Sequence, residues 1–470
     1  MKIEVIVPAR VTHFPHQWRK VIHVFSLTGP AIAASIPPDV EVVLTELSVD
    51  EIDYARDVDM VCISTMTCTA IEAYRIADAY REKRPDVKVL LGGIHASMLP
   101  EEAIRHADGV VIGESEGLWP EIIQDCRNGS LRQFYRCNEL PDLSRMNPPK
   151  RELLEGKSLY AINAVQTSRG CPYRCRFCSV HLFSGGKYRT RPVDDVIDEI
   201  RRIKSRYMFF LDDNPTGDVR YAKELFRKMA GLNKKWFSQA HITIADDEEL
   251  LRLAKRAGLT VVGIGFESII GESLEAAAKP HVSLRKYREN IRKIQQQGIV
   301  VLGSFIFGFD GDEEDVFQRT IRFAQECKID HASFHILTPY PGTALYKQFE
   351  QEGRLLESKG WDHYTTRHAV FKPMGMGQAP EKLEQGFRRA YREFYSLPSV
   401  LKRLKLNRHL ALYLTVSLLL YYATHKDERL TERKEAKGWG LRMALSGLEW
   451  VEKKVLDFSS SSLARKRAAM

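Results

Sequence analysis

Thr167-Ser168-Arg169-Gly170-Cys171-Pro172-Tyr173-Arg174-Cys175-Arg176-Phe177-Cys178 sets three cysteines within eight residues in the spacing C-x3-C-x2-C, at the end of the apolar run 161–167. Eight cysteines in 470 residues are too sparse for a disulfide scaffold, so a cluster of three points to a metal held in a reducing, cytoplasmic compartment. Thiolates are the usual ligands of a [4Fe-4S] cluster, and Cys171, Cys175 and Cys178 would satisfy three irons and leave the fourth open. An open position lets a metal centre chelate a second molecule, as a catalytic zinc does. A zinc site or a chance triplet is the alternative reading.

Outward from this stretch, strand and helix signals alternate. Residues 161–167, 207–212, 236–242, 261–267, 300–307 and 331–337 read as strands, with amphipathic helices at 193–204, 222–231 and 247–257. Six strands with intervening helices over 161–350 predict a partial (β/α)6 barrel, with its chemistry at the C-terminal mouth. The cysteines follow the first of these strands.

Residues 1–145 show a second α/β pattern. Near-continuous Val/Ile/Leu runs at 3–7, 40–44, 60–64, 87–92 and 109–112 alternate with helices such as 70–83, which predicts a doubly wound parallel sheet covered on both faces. Ligands of such sheets lie over the C-terminal strand ends, where Ser64-Thr65-Met66, Gly92-Gly93-Ile94-His95 and Gly113-Glu114-Ser115-Glu116 fall. The stretch 138–157, with Pro141, Pro148 and Pro149, has little periodicity and marks a linker, placed at 146–160.

Residues 351–470 read as a helical and finally basic region. The formal charge is +9, but the last 70 residues hold 15 Lys/Arg against 7 Asp/Glu, so residues 1–400 are close to neutral. A charge confined to the tail argues against a nucleic-acid partner. The apolar run 409–424 follows Lys402, Arg403, Lys405 and Arg408 and is shorter than the about twenty residues that a spanning helix needs. It predicts an interfacial helix on an anionic membrane surface, at its cytoplasmic face, or a buried helical cap. The N-terminus has strand composition and no secretion signal.

The stretch 167–178 resembles the radical S-adenosylmethionine superfamily, and the glycine turns ahead of the barrel make about residues 1–400 similar to its cobalamin-binding members. The resemblance implies a [4Fe-4S] cluster on the three cysteines, S-adenosylmethionine on the open iron and cobalamin over the N-terminal sheet. It implies that Phe177 packs on the adenine, that Asp212 and Asp213 lie by the methionyl amine, and that Gly265 and Glu267 serve the same cofactor's polar groups. Ser64, Thr65, Gly92, Gly93, His95, Gly113 and Glu114 are the implied cobalamin contacts. The segments 303–308 and 338–343 either shape the adenine pocket or are plain turns. Arg189 and Arg191 either pair the carboxylate or are solvated loop residues.

No D-x-H-x-x-G motif supplies a lower cobalt ligand, and the loop after the first strand offers only His13 and His16. Cys62, Cys68, Cys126 and Cys137 lack the spacing of a second cluster and read as core or free thiols. The expected activity is methyl transfer to an unactivated carbon of a small molecule or lipid, with a flavodoxin or ferredoxin as reductant. Cyclisation, oxidation or rearrangement is the alternative enzyme reading, and a non-catalytic cobalamin or redox sensor the alternative from another class.

Overall fold

The computed structural model describes residues 1–9, 22–137, 139–158, 160–279, 282–404, 413–414, 416–418 and 421. His13, His16 and most of the basic tail lie outside the described residues.

The five N-terminal apolar runs form parallel strands Lys2–Val7, Glu41–Glu46, Met60–Ser64, Lys88–Gly92 and Gly109–Ile112. Lys2–Val7 lies between Glu41–Glu46 and Met60–Ser64, and a sixth strand, Phe134–Arg136, extends the far edge. Three residues are too few to show a period, so that strand has no sequence signal. The continuous apolar runs divide by the strand's period of two. Val61, Ile63, Val89 and Leu91 face one core with Ala73, Ile76, Ala77 and Tyr80 of the helix Ala70–Lys83. Val5, Cys62 and Leu90 face the other with Trp119, Ile122 and Ile123 of the helix Trp119–Arg127. Cys126 and Cys137 pack against this second core, in keeping with plain thiols.

The second sheet has seven parallel strands, in the order His331–Ile336, Val300–Phe307, Leu259–Glu267, Lys235–Ala240, Tyr207–Phe210, Tyr160–Val165 and Ile22–Val24. Six match the expected runs. The seventh comes from the N-terminal part of the chain and pairs Ile22 with Tyr160 and Val24 with Ile162. One core joins the sheet to its helices, with Val196, Ile200, Leu225, Leu250 and Ile291 packed behind Phe210, Trp236, Val262 and Phe305.

Beyond the barrel, the helix Pro380–Phe394 packs on the strand His331–Ile336, and Leu397–Arg403 packs on that helix and on the helix Val316–Glu326. Arg403, expected among surface charges, is fully buried. Its guanidinium donates to the carbonyls of Ile329, Asp330 and Phe394 at 3.1, 2.8 and 2.8 Å and stacks on the Phe394 ring. Phe394 ends a helix, where free carbonyls and the helix dipole favour a cation. Among the described residues no helix is long and apolar enough to cross a membrane.

Candidate active site

The cysteine loop leaves the C-terminal end of Tyr160–Val165 and is held from three directions. From below, the buried Asp212 carboxylate accepts the Thr167 N–H at 3.0 Å and the Thr167 and Ser168 hydroxyls at 2.6 Å each, together with the Ser168 N–H. Residues Ser168–Arg169 then pair antiparallel with Arg189–Thr190. At the mouth, Arg176 N–H donates to Ala277 O at 3.0 Å and Arg176 O accepts from Leu345 N–H at 3.1 Å, which ties the loop to two further barrel segments. Gly170 turns the chain at φ +89°, and its N–H meets Asp213 at 3.2 Å.

Burial pushes all three thiols up, Cys178 to about 12, while the Lys279 ammonium pulls Cys171 and Cys175 the other way. Without a metal the thiols therefore hold their protons at neutral pH, and loading releases them. Among the described residues no three His, Cys, Asp or Glu side chains converge on one point for a single ion. A [4Fe-4S] cluster asks something different, because each thiolate binds its own iron. Three half-buried thiols on one loop, each within electrostatic reach of another, fit that donor set.

Phe177 packs on the barrel core, 6.1 Å from the Phe309 ring. Asp213 is raised to about 6 by burial, against the pull of the Gly170 N–H. Across the mouth, Leu259–Glu267 is bulged between Gly265 and Glu267, and Glu267 sits at φ +59°. A non-glycine residue there costs about 1–3 kcal/mol, a strain that is retained mainly at functional sites. Lys279 locks it, donating to Glu267 at 2.6 Å and Gly265 O at 2.8 Å. A Cβ at Gly265 would stand in the way of both side chains. No sequence signal marks Lys279, which reaches Glu267 only by tertiary packing. His241, lowered to about 4 by burial, is neutral beside the Tyr173 ring at 4.6 Å.

The N-terminal strand ends converge around Ser97. Thr65 donates N–H and hydroxyl to Gly92 O, both at 2.7 Å, while Ser97 Oγ donates to Gly93 O at 2.7 Å and accepts Gly113 N–H at 2.8 Å. Gly93 has φ +92°, and a Cβ there would stand 2.6 Å from Thr65 O, 2.8 Å from its N and 3.1 Å from Ser64 Oγ. A Cβ at Gly113 meets nothing within 4 Å, so that turn faces open space, as a bound cofactor requires.

Four candidates are turned inward instead. His95 is fully buried, 3.3 Å from Glu102, which also accepts the Trp361 Nε1–H at 2.9 Å. Glu114 pairs with Arg169 and Arg189. Arg191 binds Glu199 and Gln166 O, so neither Arg189 nor Arg191 is a solvated loop residue or free for a carboxylate. Arg189 Nε and His95 Nδ1 are buried without a hydrogen-bond partner among the described residues.

The Radical SAM superfamily model matches residues 165–324 and the B12 binding domain model residues 31–123. Bacteriochlorophyllide d C-12(1)-methyltransferase of Chlorobaculum tepidum is 32% identical over 357 residues, 74% of this chain and 77% of that protein. Anaerobic magnesium-protoporphyrin IX monomethyl ester cyclase of Rubrivivax gelatinosus is 25% identical, over 71% of this chain and 66% of that one. The structure of the radical S-adenosylmethionine methyltransferase TsrM from Kitasatospora setae, with cobalamin and a [4Fe-4S] cluster bound, superposes with a TM-score of 0.66 over 93% of this chain and 99% of that chain. At 14% identity this likeness speaks for the fold. With both family models on their two sheets and a relative matched over three-quarters of each chain, this protein belongs to the cobalamin-binding radical S-adenosylmethionine enzymes, whose cofactors are a [4Fe-4S] cluster, S-adenosylmethionine and cobalamin.

Proposed function

We propose that this enzyme transfers a methyl group from S-adenosylmethionine, by way of cobalamin, to an unactivated carbon of a small molecule. The observation that carries this reading is the relative of 32% identity matched over 74% of this chain and 77% of its own, whose name is that of a methyltransferase. When bound, the cluster supplies the electron that cleaves S-adenosylmethionine, and cobalamin carries the methyl group. Cys171, Cys175 and Cys178 hold the cluster. Phe177, Asp213, Gly265 and Glu267 line the S-adenosylmethionine side, with Asp212 acting through Thr167 and Ser168. Ser64, Thr65, Gly92, Gly93 and Gly113 receive the cobalamin, while His95 and Glu114 support those turns from behind. The cyclase relative favours a second reading, ring closure on a similar substrate.

The domain limits in this reading are 1–145, a linker at 146–160, 161–350 and 351–470, with Ile22–Val24 crossing into the barrel sheet. A flavodoxin or ferredoxin serves as cytoplasmic reductant. The exposed Leu397, Leu401 and Leu418 support peripheral contact with a membrane. Anaerobic turnover with methyl-labelled S-adenosylmethionine, hydroxocobalamin and cell extracts decides between the two reactions. Methyl transfer adds label and one methylene to the product mass, whereas turnover to a product without the label would support the cyclase reading. Co-sedimentation with anionic vesicles at low and high salt tests the membrane contact, and absence of binding at low salt removes it.

A further inference from the structure

Glu114, Glu116, Arg169 and Arg189 form a buried, charge-balanced network between the two sheets. Arg169 Nη1 meets Glu114 at 2.5 Å and its Nη2 meets Glu116 at 2.6 Å, while Arg189 Nη2 takes the other oxygen of Glu114. The Glu114 side chain is 4% exposed and Arg169 15%. Arg189 Nη1 also donates to Pro141 O at 2.8 Å, in the connection between the sheets. Charges buried like this are not readily exchanged for water, so the segments that carry them move together.

Those segments are the ones that frame the two cofactors. Glu114 follows Gly113, whose N–H is tied through Ser97 Oγ to Gly93 O, so it is linked to the N-terminal turns. Arg169 stands two residues before Cys171 and is the ladder partner of Arg189. Its guanidinium bridges two carboxylates of the other sheet, and a shift of the cysteine loop would break both pairs. We propose that Glu114 and Arg169 are positioning residues that couple the cobalamin turns to the cysteine loop, so that filling either cofactor site tightens the other. The proposal rests on the cofactor assignment above. Linkage requires the effect to be reciprocal.

A network that merely glued the sheets together would show no such reciprocity. Lys157 provides the comparison, since its ammonium ties the connection between the sheets to Leu44 O at 3.1 Å and to Asp50 but touches neither loop. The test is a hydroxocobalamin titration of the full chain, followed by visible absorbance, on cluster-free and on anaerobically reconstituted protein. The wild type should bind at least about fivefold more tightly with the cluster, and Glu114→Gln and Arg169→Lys should reduce that ratio to below about twofold. A lysine ammonium cannot bridge two carboxylates as a guanidinium does. Lys157→Gln should keep the wild-type ratio even where both affinities fall. If Glu114→Gln fails to fold by circular dichroism, Glu116→Gln removes one partner of Arg169 and should give an intermediate ratio. A wild-type ratio of one, or a full ratio in Arg169→Lys and Glu116→Gln, overturns the coupling. Protein that holds iron but no cobalamin overturns the cofactor assignment as well, whereas binding of both without a ratio overturns the coupling alone.

Discussion

Replacing Asp212 tests whether the cysteine loop is positioned from below by one buried carboxylate. Asp212 Oδ1 accepts from both the N–H and the hydroxyl of Thr167 and of Ser168, and Oδ2 lies 3.1 Å from the Thr167 N–H. In Asp212→Asn the amide oxygen can take the Oδ1 place, but the charge is lost and an NH2 group faces the Thr167 N–H. Bonds to a charged acceptor are roughly twice as strong as neutral ones, so four weakened bonds predict a loss of about 2–4 kcal/mol. Asp212→Ala leaves two buried N–H groups without an acceptor at about 1–3 kcal/mol each and should be worse, at about 3–5 kcal/mol. Urea unfolding of cluster-free protein measures the stability term. Iron and sulfide content after anaerobic reconstitution measures loop placement, and both variants should load less iron than wild type under limiting iron. An Asn variant within about 0.5 kcal/mol of wild type, with full iron content, would refute the reasoning.

Three further outcomes are expected. Alanine at Cys171, Cys175 or Cys178 should abolish both iron retention and S-adenosylmethionine cleavage, and full cleavage in a triple variant would remove the cluster assignment. Gly93→Ala sets a methyl 2.6 Å from a backbone carbonyl at a positive φ, so it should prevent retention of hydroxocobalamin through desalting while leaving iron loading intact. Glu46 is raised from 4.5 to about 7 by burial, partly offset by Ser48, and its Oε2 has no hydrogen-bond partner among the described residues. Since the folded chain keeps this proton longer than the unfolded one, its contribution is full below pH 4.5 and is lost as pH rises through 7. Glu46→Gln should therefore gain up to about 3 kcal/mol relative to wild type between pH 4.5 and 8, and a difference that stays constant across that range by urea unfolding would contradict it.

The two α/β sheets, their strand sequence and the cysteine loop are legible in the amino-acid order because their signals are local. Apolar runs long enough to cross a sheet, an amphipathic period such as that of Ala70–Lys83, and the spacing of Cys171, Cys175 and Cys178 all lie within a few turns of chain. Ile22–Val24 and Phe134–Arg136 are strands only because a neighbouring strand offers its edge, and three residues carry no period of their own. Direction was equally hidden at the site. Glu114, Arg189 and His95 sit at the strand ends and loops that suggested ligand contacts, yet each is turned to a partner between 7 and 75 residues away. Arg403 reads as surface charge until the end of the Pro380–Phe394 helix and the start of the His331–Ile336 strand present three carbonyls to it. Residue type and spacing thus determined which chemistry this protein carries. The pairing of opposite charges and the satisfaction of buried polar groups depend on which distant segments meet, so only the tertiary structure decided which of those residues face a cofactor and which hold the two sheets together.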